Sequence, residues 1–260
     1  MTTRPPDKHS AADAAGERPE RLLGRLGVAS RREVARWLEA GRLASDGHVL
    51  KGGERVRPGA KLTLDGRPLA VPEERAARRV LLYNKPEGEI VTRHDPEGRP
   101  TVFETLPKLA GGRWVVVGRL DVNTAGLLLF SSDGTLAARL MHPRYEIERC
   151  YLVRVHGSPS EEELRRLIRG IPLEDGLARL TACIPFGRPE GSNCWFRVGL
   201  TEGRNREVRR LFEAIGFEVS RLKRIAFGPL ALPRGLRRGA WQELGAGEIA
   251  ALDAAVAAPA

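Results

Sequence analysis

From residue 80 onward the chain is built from short apolar runs: VLLYNKP, RWVVVGRL, GLLLFSSD, CYLVRVHG, ARLTACIP, NCWFRVGL and VSRLKRIAFGPL. Each is bounded by Gly, Pro, Asn or Asp, the pattern that predicts a strand closed by turn residues. Between them, residues 135–141, 160–168 and 206–215 have helical periodicity. In the last of these, Val208, Leu211, Phe212 and Ile215 fall at i, i+3, i+4 and i+7, one apolar stripe of a helix. Many strands with few helices predict an α+β domain: a large, mostly antiparallel sheet with flanking helices and a central cleft. The chain has no internal repeat.

Upstream the pattern changes. Ser30 and Glu33 have capping-box spacing, in which a hydroxyl takes an orphan helix amide and the carboxylate reaches back. The helix they open puts Val34, Trp37 and Leu38 on one face, and Gly41 ends it. Asp46-Gly47 and Gly52-Gly53 then mark turns between short strands. Residues 20–67 hold eleven basic and six acidic side chains. The expected organisation is a disordered tail over 1–19, a small basic domain over 20–68 and a linker over 69–78. The large domain follows over 79–246, and then an Ala-rich tail over 247–260 that is either a frayed helix or disordered.

Charge narrows the function. The 260 residues carry a net charge of +10 and a pI near 10.2, so a polyanion is the expected partner. Arg outnumbers Lys 37 to six. That ratio fits either a compositional bias of the genome or phosphate recognition by guanidinium forks. No window of 18 apolar residues exists, so no membrane partner is expected. The N-terminal stretch lacks the apolar core of a signal peptide. Cys150, Cys183 and Cys194 form no CxxC pair and predict reduced thiols in a cytosol. His94, His142 and His156 have no ligand spacing, and neither a dinucleotide fingerprint nor a phosphate-binding loop is present. A metal and a cofactor are therefore not expected.

The stretch GRLDVNTAGLLLFSSDG, residues 118–134, concentrates the candidate chemistry. Val115–Val117 drive a strand into Gly118-Arg119, Asp121 opens a polar loop, and Leu127–Leu129 form the next strand. A carboxylate in a loop floored by apolar strands is placed as a site residue would be. A turn residue bonding its own backbone fits the same position. Arg209 stands at the edge of its helix's apolar stripe, where it can face a carboxylate or lay its stem over the core. Tyr151 lies in a strand, where packing into the sheet is its ordinary role.

Three segments carry a family resemblance: GRLDVNTAGLLLFSSDG, HPRYEIERCYLVRV (142–155) and EGRNREVRRLFEAIGFEVSRLKRIAFGPL (202–230). Together they resemble the pseudouridine synthases that modify ribosomal RNA, in the branch with a small N-terminal RNA-binding domain. LGVASRREVARWLEAGRLASDGHVLKGGERVRPGAKLTL resembles that small domain, the one named after ribosomal small-subunit protein four. The resemblance implies catalytic roles for Asp121, Tyr151 and Arg209. Asp121 would act as nucleophile or base on a flipped-out uridine, and the Arg209 guanidinium would keep that carboxylate ionised. Tyr151 would stack on the base and move a proton. Arg149-Cys150 departs from the Lys-Thr more common before that tyrosine. Arg119 and Thr124 would position phosphate or the loop. Arg204, Arg206, Arg210, Arg221, Lys223 and Arg224 would hold the RNA backbone around the cleft, while Arg25, Arg31, Arg32 and Arg36 would face phosphates from the small domain. The implied partner is ribosomal RNA, 23S by the resemblance, with a small-subunit site left open; a monomer in the cytosol is expected. A non-catalytic RNA-binding factor for ribosome assembly is the alternative. A nucleoside isomerase is disfavoured, because a strongly basic surface serves no small neutral substrate.

Overall fold

The computed structural model describes residues 16–70, 78–109, 112–189 and 191–257. They form two compact units. Lys108–Val115 and Ser131–Thr135 group with the chain up to Arg79, and the remainder from Val80 forms the second unit.

In the first unit, helix α1 (Pro19–Arg25) starts on a proline, whose missing N–H costs nothing in a first turn. Helix α2 (Arg31–Glu39) has the capping box its sequence promised. The Glu33 amide donates to Ser30 Oγ at 3.0 Å, and the Ser30 amide to the Glu33 carboxylate at 3.3 Å. Strands β1 (Leu43–Ser45), β2 (His48–Val49), β3 (Leu62–Leu64) and β4 (Arg67–Pro68) form an antiparallel sheet in the order β2-β1-β3-β4. Leu23, Val34, Leu38, Leu43, Val56 and Leu62 meet as its core. Residues 16–19, expected in the disordered tail, are part of this unit. Glu17 and Val56 exchange backbone hydrogen bonds at 2.9 and 2.8 Å, which anchors the chain two residues before α1. Residues 1–15 of the expected tail and 71–77 of the expected linker lie outside the described residues.

The remaining elements run as follows: β5 (Val80–Lys85), β6 (Val115–Val117), β7 (Ala125–Ser131), α3 (Gly134–Met141), β8 (Arg149–His156), α4 (Glu161–Arg169), β9 (Ile171–Leu173), β10 (Gly176–Ala178), β11 (Ala182–Pro185), β12 (Asn193–Leu200), α5 (Glu207–Glu213), β13 (Val219–Phe227), β14 (Leu230–Ala231), β15 (Trp241–Glu243) and α6 (Ala246–Ala255). One nine-stranded sheet dominates, in the order β11-β12-β8-β13-β7-β5-β15, with β14 beside β13 and β6 beside β7. β8, β11, β12 and β13 are joined antiparallel, but β7 and β13 pair in parallel, so the sheet is mixed. Every residue of β5 and β7 is buried, which explains their unbroken apolar runs. β8 instead alternates, with Tyr151, Val153 and Val155 turned inward. The stripe of α5 is buried as predicted, and the Phe212 ring lies 6.1 Å from that of Phe196 on β12. The C-terminal stretch is an ordered helix, α6. Leu252 and Val256, four residues apart, are fully buried, and an apolar anchor of that spacing fixes an otherwise featureless Ala-rich segment.

Candidate active site

Asp121 is half-buried in the loop between β6 and β7. Leu120, 6% exposed, pins the loop on one side. On the other, the Thr124 amide closes a turn onto the Asp121 carbonyl at 3.0 Å. Among the described residues nothing donates a hydrogen bond to the Asp121 carboxylate, so the turn-former reading of this side chain does not hold: it is the backbone that makes the turn.

Two buried cations hold this loop by its carbonyls. Lys85, at the end of β5, has no exposed surface. Its Nζ donates to the carbonyls of Pro86 (2.9 Å), Asp121 (3.1 Å), Thr124 (2.9 Å) and, more loosely, Val122 (3.5 Å). Burial pulls its ammonium down to about 8, against the charges of Glu89, Asp121 and Glu87. Arg209 on α5 is 8% exposed. One of its terminal nitrogens donates to Asn123 O at 2.9 Å and the other to Val219 O at 2.7 Å. Burial lowers its pKa and the nearby Arg206 lowers it further, while the charge of Asp121 supports it. Arg209 thus lies within the field of Asp121, but its hydrogen bonds go to the loop's backbone and no direct ion pair forms.

β13 links this loop to Tyr151. Arg224 of β13 stands opposite Tyr151 of β8 on one side and Gly126 of β7 on the other. Two strand spacings of about 4.8 Å therefore separate Tyr151 from the start of β7, five residues beyond Asp121. Gly126 makes this approach possible. Its φ is +104°, and a Cβ there would sit 2.1 Å from the Arg224 carbonyl oxygen. Tyr151 is 9% exposed.

The sequence treated Arg224 as a contact for the RNA backbone. It is 2% exposed, its Nε donates to Leu127 O at 2.7 Å, and its guanidinium lies 5.4 Å from the Phe227 ring centroid. Arg149 approaches the same ring at 5.2 Å and donates to Ile147 O and Thr201 O.

Other expected contacts also change. Arg204 donates to the carbonyls of Asp175, Gly176 and Leu177 and pairs with Glu202 at 2.6 Å, and Arg210 is bidentate on Asp175 at 2.9 Å. Both fasten the β9–β10 hairpin beside α5, so their donors are already spent on protein. Arg206 is exposed and in the left-handed region at φ 49°, with no capping bond. Arg119 is exposed. Thr124 is 2% exposed and serves the loop through its backbone.

In the first unit, Arg25 is tied to Glu17 at 2.6 Å. Arg31 and Arg32 are exposed and line a groove of about 2020 Å³ together with Arg57 and Lys61, whereas Arg36 is exposed but outside that lining. Among the described residues no cluster of His, Cys, Asp or Glu is arranged for a metal ion, and no helix is long and apolar enough to cross a membrane.

Lys85 is the residue at this loop that sequence reasoning missed. Its signal was available: a lysine closing a strand of otherwise buried residues must spend its charge on partners in the interior.

The mixed sheet thus carries a half-buried carboxylate, without a hydrogen-bond donor among the described residues, on a loop held by its backbone. Residues 79–214 match the model of the RNA pseudouridylate synthases, and the chain belongs to that family of isomerases. It is 56% identical over 231 residues to the ribosomal large subunit pseudouridine synthase B of Escherichia coli (strain K12), covering 88% of this chain and 79% of the relative. The protein of the same name from Pseudomonas aeruginosa is 51% identical over 235 residues, covering 90% of this chain and 61% of the relative. Among solved structures, a crystal structure of pseudouridylate synthase superposes with a TM-score of 0.63 at 23% identity, covering 91% of this chain and all of the other; it speaks for the fold alone.

Proposed function

We propose that this protein isomerises uridine to pseudouridine in the ribosomal RNA of the large subunit, in 23S rRNA, in the cytosol. The C1′–N1 glycosidic bond breaks, the uracil turns, C5 bonds to C1′ and the C5 proton moves to nitrogen. Atoms and electrons are conserved, so the chemistry calls for neither redox cofactor nor metal. Asp121 supplies the carboxylate, which serves either by attacking the sugar or by taking a proton from it. Tyr151 meets the base and relays a proton, and Arg209 holds the Asp121 loop and contributes positive field. Arg31 and Arg32, with the exposed Arg119 and Arg206, contact RNA phosphates, and the first unit docks the substrate. Taking the uridine out of its stack costs a few kcal/mol, about what stacking on an aromatic side chain returns.

The observation that carries this reading is the Asp121 carboxylate: half-buried, without a donor, on a loop whose backbone is fixed by Lys85 and Arg209. The test is Asp121→Asn expressed in a strain lacking the gene, with pseudouridines mapped across rRNA. One uridine should stay unmodified while the purified variant still binds RNA. Normal modification by the variant refutes the assignment.

A further inference from the structure

Tyr145 forms a surface feature that the catalytic reading leaves unused. It closes a short 3-10 turn, Pro143–Tyr145, between α3 and β8. The His142 imidazole accepts from the Arg144 amide at 3.2 Å, and Glu146 in the left-handed region (φ 43°) turns the chain into β8. The Arg144 guanidinium lies 4.5 Å from the centroid of the Tyr145 ring, that of Arg139 lies 5.8 Å away, and the His142 ring meets it edge-on at 6.2 Å. Arg144 also bonds the phenol oxygen, and the two guanidinium groups pull that phenol's pKa below its ordinary value. Arg139 is anchored by a bond to the Val256 carbonyl.

Gathering two cations on one half-exposed ring, with no carboxylate paired to either among the described residues, has an electrostatic cost that a plain turn would avoid. The arrangement does suit a polyanion with flat bases. Alternating guanidinium and aromatic planes stack on any nucleobase, and the same guanidinium groups meet its phosphate. The turn also feeds directly into the end of β8 that carries Tyr151.

We propose that the Arg144–Tyr145 surface is a stacking platform for an unpaired nucleotide of the RNA strand that flanks the target uridine. The proposal rests on the function argued above, because it takes that function's substrate as its partner.

The probe is a fluorescein-labelled oligouridylate of about 12 nucleotides, a length suited to single-strand sites. Its binding to the full chain is followed by anisotropy over a range of salt. Tyr145→Ala should weaken binding about tenfold, the scale of one lost base–aromatic stack, and Tyr145→Phe should keep wild-type affinity. Arg144→Gln should flatten the dependence of log affinity on log salt by about 0.7, one phosphate contact to a single strand. Because Arg144 is exposed, that variant keeps the test alive should Tyr145→Ala fold poorly. If both Tyr145→Ala and Arg144→Gln bind as the wild type does at every salt concentration, the platform is refuted. A wild-type protein that binds this RNA but leaves no pseudouridine of its own making in ribosomal RNA would instead overturn the proposed function and leave the nucleotide-stacking surface standing.

Discussion

Lys85→Met removes one ammonium and keeps an unbranched apolar stem of similar length. In the native protein that ammonium holds three carbonyls at 2.9–3.1 Å, those of Pro86, Asp121 and Thr124. The Asp121 carbonyl keeps the Thr124 amide and the Val122 carbonyl keeps the Gly88 amide, so the loop does not lose every support. Hydrogen bonds to a charged group contribute about 1.5–3 kcal/mol each, and ending the burial of a charge returns part of the loss. A net destabilisation of about 2–4 kcal/mol follows, or about 5–15 °C in Tm for a domain of this size. Activity should fall further than stability. A displacement of about 1 Å in a reacting group costs on the order of 100-fold, and the loop that carries Asp121 is the part released. Pseudouridine formation should therefore be measured well below the variant's own Tm.

The pH dependence of stability gives Lys85 a separate signature. Its folded value near 8 lies below the ordinary 10.5, so between these pH values the unfolded chain binds the proton that the folded chain has shed. The stability owed to this group therefore rises from pH 8 to 10.5 and is lost as pH falls back through 8. The gap between wild type and Lys85→Met should widen over that interval. A variant that melts with the wild type, modifies RNA at its rate and shows no such widening would refute the loop-clamp argument.

Other outcomes follow from the same geometry. Gly126→Ala forces a Cβ to 2.1 Å from the Arg224 carbonyl in a conformation at φ +104°, so at least about 3 kcal/mol should be lost, read by denaturant unfolding. Arg31→Ala combined with Arg32→Ala should flatten the salt dependence of RNA affinity by about 1.4, whereas Arg210→Gln, whose guanidinium is already on Asp175, should leave the slope unchanged. Ser160→Ala removes the capping acceptor of α4 for the Glu163 amide and should cost about 1 kcal/mol in thermal unfolding, with RNA modification intact at low temperature.

The sequence made most of the fold legible where one element's pattern sufficed. The α5 stripe, the Ser30 box and most strand runs depend on local periodicity and appear within a residue or two of their expected places, whereas ARLTACIP forms a strand only from Ala182 and RWVVVGRL only over Val115–Val117. What depended on long-range contacts was hidden. The grouping of Lys108–Val115 and Ser131–Thr135 with the first unit has no local signal, since no composition shift marks either segment. The Ala-rich C-terminal stretch looked featureless because Leu252 and Val256 matter only once a surface is there to receive them. At the site, the catalytic candidates were legible only as residue types. Arg204, Arg210 and Arg224 read like exposed phosphate contacts because charge patterns do not reveal partners 27 to 97 residues away. Lys85 was overlooked for the opposite reason: its strand looked entirely structural.

The choice of partners around the site has a consequence for its chemistry. Lys85, Arg209, Arg224 and Arg149 are all at least half-buried, and among the described residues each directs its hydrogen bonds to backbone carbonyls and none to a carboxylate. A carboxylate partner would have eased burial of each cation by cancelling its charge. A carbonyl takes a hydrogen bond from the cation but, being neutral, does not cancel its charge. Carbonyl bonding therefore leaves the field of Lys85 and Arg209 to reach Asp121 together with Glu87, Glu89 and Glu213. It also explains why Arg209 supports Asp121 without a direct pair. A guanidinium locked onto the carboxylate would occupy the oxygens the reaction needs, whereas one bonded to Asn123 O sets the loop and leaves both oxygens free. If the proposed function holds, the net charge of +10 has two separable parts: an exposed share that attracts RNA and a buried share that fixes the loop carrying Asp121.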